Sequence, residues 1–237
     1  MTRRCLVAGL GLMLLGAPAG GETLRLHGSL NGMLGLHTWG SATLDGLQDD
    51  ATLGDLSDPS FSESAMGGLH LSASYVVPDE WLHLGAWFSY QAGEMQLFAN
   101  GGQSATHPTG LQLTVDHTVH DVALGLTMRL ASRMTRRLWF ATVLDLGPSF
   151  LLGDGQHLAT GFRLFPRLTF DYLPWTLATR KPGRSYQVGF TLSLGLVIEA
   201  YAAGAVEYDL PTGGSRSSDF DYRFVQPVVM FGGIFGV

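Results

Sequence analysis

From Tyr186 to Tyr201 the even positions Tyr186, Val188, Phe190, Leu192, Leu194, Leu196, Ile198 and Ala200 are all apolar. Between them stand Gln187, Gly189, Thr191, Ser193, Gly195 and Glu199. A period of 2 puts the two sets on opposite faces of a β-strand. Sixteen residues at a rise of roughly 3.3 Å and a tilt of about 45° cover roughly 37 Å along a membrane normal, enough for an apolar band of about 25 Å and both interfaces. Strands of ordinary globular domains run to about 5 or 6 residues. The pattern predicts a transmembrane β-strand.

The same pattern returns along the chain. Thr23 to Thr38 has Leu24, Leu26, Leu30, Leu34 and Leu36 on one face against Thr23, Arg25, His27, Ser29, Asn31 and His37 on the other. Residues 40 to 64 lose the period and read as an acidic loop with Asp45, Asp49, Asp50, Asp55, Asp58 and Glu63. A second strand spans Ala65 to Val77, a tight turn Pro78, Asp79 and Glu80, and a third strand begins at Leu82 and fades before Asn100 to Gly102. In the fourth, Leu111 to Leu130, apolar residues move from odd to even positions, which predicts a β-bulge between His117 and Asp121. Residues 131 to 136 make a turn, Arg137 to Leu152 a fifth strand, Gly153 to Gln156 a turn, and His157 to Leu173 a sixth. The basic turn Pro174 to Arg184 leads to the seventh strand, already described, and Phe220 to Val237 is the eighth. Pro148, Pro166 and Pro227 fall inside strands, where each removes a ladder donor, so bulges or strand ends are expected there.

Loops of about 40 to 64, 92 to 110 and 203 to 219 alternate with shorter turns, the asymmetry of an outer-membrane barrel with long external loops and short periplasmic turns. The fold class expected is all-β, a closed antiparallel transmembrane β-barrel of eight strands, with ten as the alternative count. Two aromatic girdles are expected: Tyr75, Trp81, Trp139, Tyr172, Trp175 and Tyr186 at the periplasmic ends, and Trp39, Tyr90, Phe150, Tyr201, Phe220 and Tyr222 at the outer ends.

Composition agrees. Gly is abundant at 32 and charged residues reach only 14%, and apolar residues so numerous without a helix-length run must alternate along strands. Residues 1 to 19 carry Arg3 and Arg4, an apolar run from Cys5 to Leu15, and Gly16, Ala17, Pro18 and Ala19, the layout of a cleaved signal peptide; residues 20 to 237 form the barrel. Cys5, the one cysteine, precedes the apolar run and leaves the mature chain without a thiol. Without Arg3 and Arg4, 12 basic residues face 20 acidic ones, a balance of −8 that argues against nucleic acid as a partner.

The chain resembles small bacterial outer-membrane barrels of the outer membrane protein A and W type. Its end, Gly232 to Val237, is similar to the terminal signal read by the barrel-assembly machinery, with Gly232, Phe235 and Val237 at the matching positions. Val237 stands where an aromatic residue is usual and Phe231 where a polar one is. The resemblance implies an outer-membrane location, contact with outer-membrane lipids and lipopolysaccharide, and the assembly machinery as a partner in biogenesis; a monomer is expected. No peptidoglycan-binding domain is expected after the last strand.

For chemistry, the register collects Arg25, His27, His83, Asp116, Arg129, Asp145, Arg163, Arg167, Asp171 and Glu199 toward the lumen. Eight strands leave room for little more than side chains, and buried charges need partners, so a mutually paired polar plug is expected and a structural or surface-interaction role follows. A narrow channel or carrier for small solutes is the alternative. The spacing of His70 and Ser72 is similar to that of outer-membrane lipid A deacylases, but both point inward, away from lipid, and the flanking motif is missing; no catalytic residue is assigned. The scattered histidines and the irregular acidic loop predict neither a metal site nor a cofactor.

Overall fold

The computed structural model describes residues 26–36, 39–45, 56–63, 66–77, 81–101, 112–153, 156–178, 185–209 and 215–236. The expected signal segment, Arg25 and Val237 lie outside these residues, and the side chain of Asp116 is likewise outside what is described. The strands are β1 (Leu26–Gly35), β2 (Trp39–Asp45), β3 (Leu56–Glu63), β4 (Gly67–Val76), β5 (Leu82–Gly101), β6 (Gln112–Arg133), β7 (Leu138–Gly153), β8 (Gln156–Ala178), β9 (Ser185–Asp209) and β10 (Ser215–Gly236). Eight of them close a wall in the order β1-β4-β5-β6-β7-β8-β9-β10, and β10 pairs back onto β1 from His27–Gly236 to Gly35–Val228. Every pairing is antiparallel, so the wall is a closed antiparallel sheet of eight strands, and no helix occurs among the described residues. Closure removes the open edges of the eight-stranded wall, and in hydrocarbon it lets backbone groups be satisfied within the sheet.

The two extra strands continue the first two walls upward. β2 follows β1 along β10, with the register moving by one residue between Gly35–Val228 and Trp39–Val225. β3 precedes β4 along β5. The β1–β4 ladder stops at Leu34–Gly67, where the Gly35 N–H donates to Met66 O, and above it β2 and β3 share no ladder among the described residues.

The outer face of the wall is apolar. Leu126 is 66% exposed and Phe231 60%, and Leu30, Leu34, Leu69, Leu84, Leu168, Leu192 and Leu194 lie beside them. A soluble protein exposes no such continuous surface.

Three expectations change. No bulge breaks β6 between His117 and Asp121: the β5–β6 ladder runs from Leu82–Leu130 to Asn100–Gln112 in one register. The expected external loops are strand over their described parts: β2 (to Asp45) and β3 (Leu56–Glu63) lie within 40 to 64, β5 continues to Gly101, β9 to Asp209, and β10 begins at Ser215, with the residues between outside the described ones. In these extensions the apolar alternation of the sequence fades while backbone pairing persists. Finally, Tyr201 and Trp139 do not join the girdles. Tyr201 is buried in the lumen, and Trp139 packs against Ala131, Ala141 and Val143 at the inner mouth.

The prolines are absorbed in two ways. At Pro227 the register shift between β1 and β2 along β10 supplies the expected irregularity, and Pro227 O accepts from Leu36 N. At Pro148 and Pro166 there is no bulge. The β6–β7 ladder lapses between Ala123–Ser149 and Leu126–Leu146, and the β8–β9 ladder between Leu164–Ile198 and Arg167–Gly195, each resuming in the same register. A missing N–H costs the local bond but does not force an extra residue into the strand.

Candidate functional site in the lumen

Strand alternation sends His27, Ser29 and Asn31 of β1, His70 and Ser74 of β4, and His83, Trp87, Ser89 and Gln91 of β5 inward. Asp121, Thr127 and Arg129 of β6, Asp145 of β7, Arg163, Phe165, Arg167 and Asp171 of β8, and Thr191, Ser193, Glu199 and Tyr201 of β9 meet them. The charged groups sort into three clusters.

The outermost is built on Arg163, which is 0% exposed. Its guanidinium pairs with Glu199 through Nε and with Asp121, and donates to Ser89 Oγ at 2.6 Å and Gln91 Oε1 at 3.3 Å. Tyr201 adds its hydroxyl, 3.0 Å from Asp121 Oδ1 and 3.0 Å from Glu199 Oε2. To reach β5 the arginine crosses two intervening strands, and the sequence provides the clearance. Trp87 pairs with Gly125, and Gly147 with Arg163, which places two glycines between two large side chains. A Cβ on Gly125 would lie 2.1 Å from Leu146 O, and one on Gly147 2.1 Å from Leu124 O.

In the middle cluster Arg167 pairs with Asp145, whose Oδ2 also lies 2.9 Å from His70 Nε2. Aromatic rings enclose it. Trp87 lies parallel to His70 at 5.9 Å and donates its indole N–H to Leu146 O at 3.3 Å, while Phe165 lies edge-on to His70 at 6.0 Å, under the Arg167 guanidinium at 5.1 Å. The innermost cluster pairs Arg129 with Asp171, with His27 Nε2 4.0 Å from the same carboxylate and the His83 ring 5.1 Å from that of His27. Between these two clusters sits a hydroxyl-lined chamber bounded by Ser29, Ser72, Ser74, Thr127, Thr169 and Ser193. Its volume of about 10 Å³ suits about one water.

Of the expected lumen residues, His27, His83, Arg129, Asp145, Arg163, Arg167, Asp171 and Glu199 are buried or nearly so inside the barrel, distributed over the three clusters; Arg25 and the side chain of Asp116 lie outside what is described. Sequence reading missed Asp121, because the expected bulge ended on it. It also missed Tyr201, assigned to a girdle, and Trp87 and Phe165, and it placed His70 inward without its partner Asp145, which lies on a non-neighbouring strand. One wall is largely apolar: among its described side chains β10 turns Phe224, Val228, Met230 and Ile234 inward, with Gln226 as the polar residue among them. The apolar residues at both parities in Phe220 to Val237 are the sequence cue, since a strand apolar on both faces is buried on both.

His70 and Ser72 each bond another side chain. His70 is held by Asp145, and Ser72 Oγ lies 2.8 Å from Ser29 Oγ. Among the described residues no group of three or more His, Cys, Asp and Glu side chains is arranged to hold a metal ion. In the terminal signal, Gly232 fits where a Cβ would meet Leu30 O at 2.0 Å, and Phe235 is exposed on the outer wall.

No protein-family model and no curated protein sequence matches the chain. Among solved structures it is similar to the outer membrane protein OprG from Pseudomonas aeruginosa, at 11% identity and a TM-score of 0.54 over 92% of this chain and 98% of that one. It is also similar to the outer membrane protease OmpT from Escherichia coli, with 7% identity and a TM-score of 0.40 over 94% of this chain and 99% of that one. A third likeness is to the outer membrane protein AlkL, at 12% identity and a TM-score of 0.36 over 93% of each chain. The likeness to OprG shows the fold: this chain is a small closed antiparallel β-barrel of the outer-membrane kind.

Proposed function

We propose that the protein resides in the bacterial outer membrane as a monomeric barrel with a plugged lumen, and that its role is structural or surface-binding, exercised through its external loops. The observation that carries this is the Arg163 cluster. One fully buried guanidinium engages Asp121, Glu199, Ser89 and Gln91 from three other strands, filling the section just where a solute entering from outside would have to pass. An eight-stranded barrel has no spare width around such a cluster. Lipopolysaccharide and outer-membrane lipids are the contacts that the apolar wall and the external strands fit, with the assembly machinery as a transient partner. The test is planar-bilayer recording of the purified mature protein. Silence is expected, and stable, solute-dependent conductance refutes the plugged reading.

A second reading, a narrow channel or carrier for small solutes, draws on the lack of a β2–β3 ladder among the described residues and on the largely apolar inner face of β10. It requires conductance or solute uptake that rises when Trp87 is removed. His70 and Ser72, each bonded elsewhere inside the barrel, lend no support to a lipid A-modifying enzyme.

A further inference from the structure

The β6–β7 turn is ordered by its own side chains. The N–H groups of Met134 and Thr135 donate to Leu138 O at 3.0 and 3.1 Å, and Thr135 Oγ1 accepts from the N–H groups of Arg137 and Leu138 at 3.3 and 3.1 Å. Arg133 turns back, donating to Thr135 O and Arg136 O, with its guanidinium 5.7 Å over the Trp139 ring. Arg136 and Arg137 are left exposed, and neither forms an ion pair with a described residue. Met134 beside them is 61% exposed.

Depth along the wall decides what these arginines face. The β7–β8 ladder ends at Leu138–Tyr172, and Leu173 N donates to Arg137 O, so Arg137 stands one residue, about 3.3 Å, past an exposed tyrosine. The neighbouring β8–β9 hairpin runs on past this level to the Leu177–Tyr186 and Ala178–Ser185 pairs. There Trp175 is 50% and Leu177 54% exposed, with Trp175 edge-on to Phe190 at 5.3 Å. A wall still apolar and aromatic at that depth belongs to the membrane interface, not to open water. The two arginines are thus held at the level of lipid headgroups, against an apolar flank that suits acyl chains.

We infer that Arg136 and Arg137, with the Trp175–Leu177 flank, form a binding site for an anionic glycerophospholipid of the periplasmic leaflet. Two adjacent guanidiniums match phosphate oxygens. They favour a lipid of net negative charge over a zwitterionic one, whose own ammonium competes with them. The inference needs the barrel to lie in a membrane and is independent of whether the lumen conducts.

The test is native mass spectrometry of the full mature barrel released from micelles holding equal phosphatidylglycerol and phosphatidylethanolamine. Wild type is expected to retain phosphatidylglycerol preferentially, and less so as ionic strength rises. At about fivefold per arginine near an anionic headgroup layer, R136Q/R137Q should lose about 25-fold of that preference. Heat-modifiable gel mobility shows that the variant is folded, and the salt dependence of wild type tests the inference if it is not. R223Q, which removes an exposed arginine on β10 near the opposite end, should leave the preference intact. An unchanged preference in R136Q/R137Q, a salt-independent preference in wild type, or an equal loss in R223Q overturns the inference. So does an unchanged lipid preference with loss of co-sedimentation on peptidoglycan sacculi, which would assign the turn to the cell wall.

Discussion

Replacing Arg163 by Met tests whether the lumen is held as a paired network. The guanidinium carries two ion pairs, to Glu199 and Asp121, and two further hydrogen bonds, all at 0 to 2% side-chain exposure. Methionine keeps much of the volume and deletes the charge, leaving two carboxylates facing each other across Tyr201 with no cation between them. Removing one partner of a buried pair typically costs about 3 to 5 kcal/mol, most of it the penalty of the stranded charge. Two stranded acids put R163M at the upper end, a loss of about a thousandfold or more in the folding equilibrium. Taking the stranded charges away should reverse this: R163M/D121N/E199Q is expected within about 2 kcal/mol of wild type, since a neutral, well-packed replacement of a buried ionic cluster is often close to neutral. The assay is urea unfolding from detergent micelles, followed by tryptophan fluorescence and by gel mobility, with the slope compared between variants so that a midpoint shift reads as stability. If R163M unfolds within about 1 kcal/mol of wild type, or if the triple variant is no more stable than R163M, the cluster is not a paired network and the argument fails.

The outer faces of β8 and β9 predict a depth dependence: Leu192→Arg on β9, well inside the apolar band, should cost about 2 to 4 kcal/mol, and Leu177→Arg on β8, near the rim, about 0 to 1; equal costs in the same urea assay would displace the membrane from where the girdle puts it. Gly125→Ala should destabilise by about 1 to 3 kcal/mol, because its Cβ meets a backbone oxygen rather than a side chain that can move. Gly67→Ala, with nothing within 4 Å of its Cβ, should be near neutral by comparison. Trp87→Ala removes the ring stacked on His70 and should cost about 3 to 5 kcal/mol. In planar bilayers the same variant separates a robust plug, which stays silent, from a gated path, which begins to conduct.

The chain itself determined its class and the faces of most of its strands. Period-2 alternation over spans long enough for a membrane is a local property, legible without neighbours, so the outward leucines of β1, β4, β5 and β9 and the inward His27, Arg129, Arg163, Arg167 and Glu199 could be assigned from parity alone. What parity cannot show is which inward residues meet. Arg163 finds Asp121 and Gln91, and Arg167 finds Asp145 while sharing that carboxylate with His70, because closure and tilt bring strands far apart in sequence to one level of the lumen. Likewise only the closed barrel shows that Gly125 and Gly147 clear a passage between Trp87 and Arg163. Where the apolar pattern shifted or faded, sequence reading erred, with a bulge expected in β6 and loops expected where β5, β9 and β10 extend. Alternation reports the contrast between an apolar outer face and a polar lumen, whereas strand pairing needs only a neighbouring backbone, and in the extensions of β5, β9 and β10 the second persists without the first.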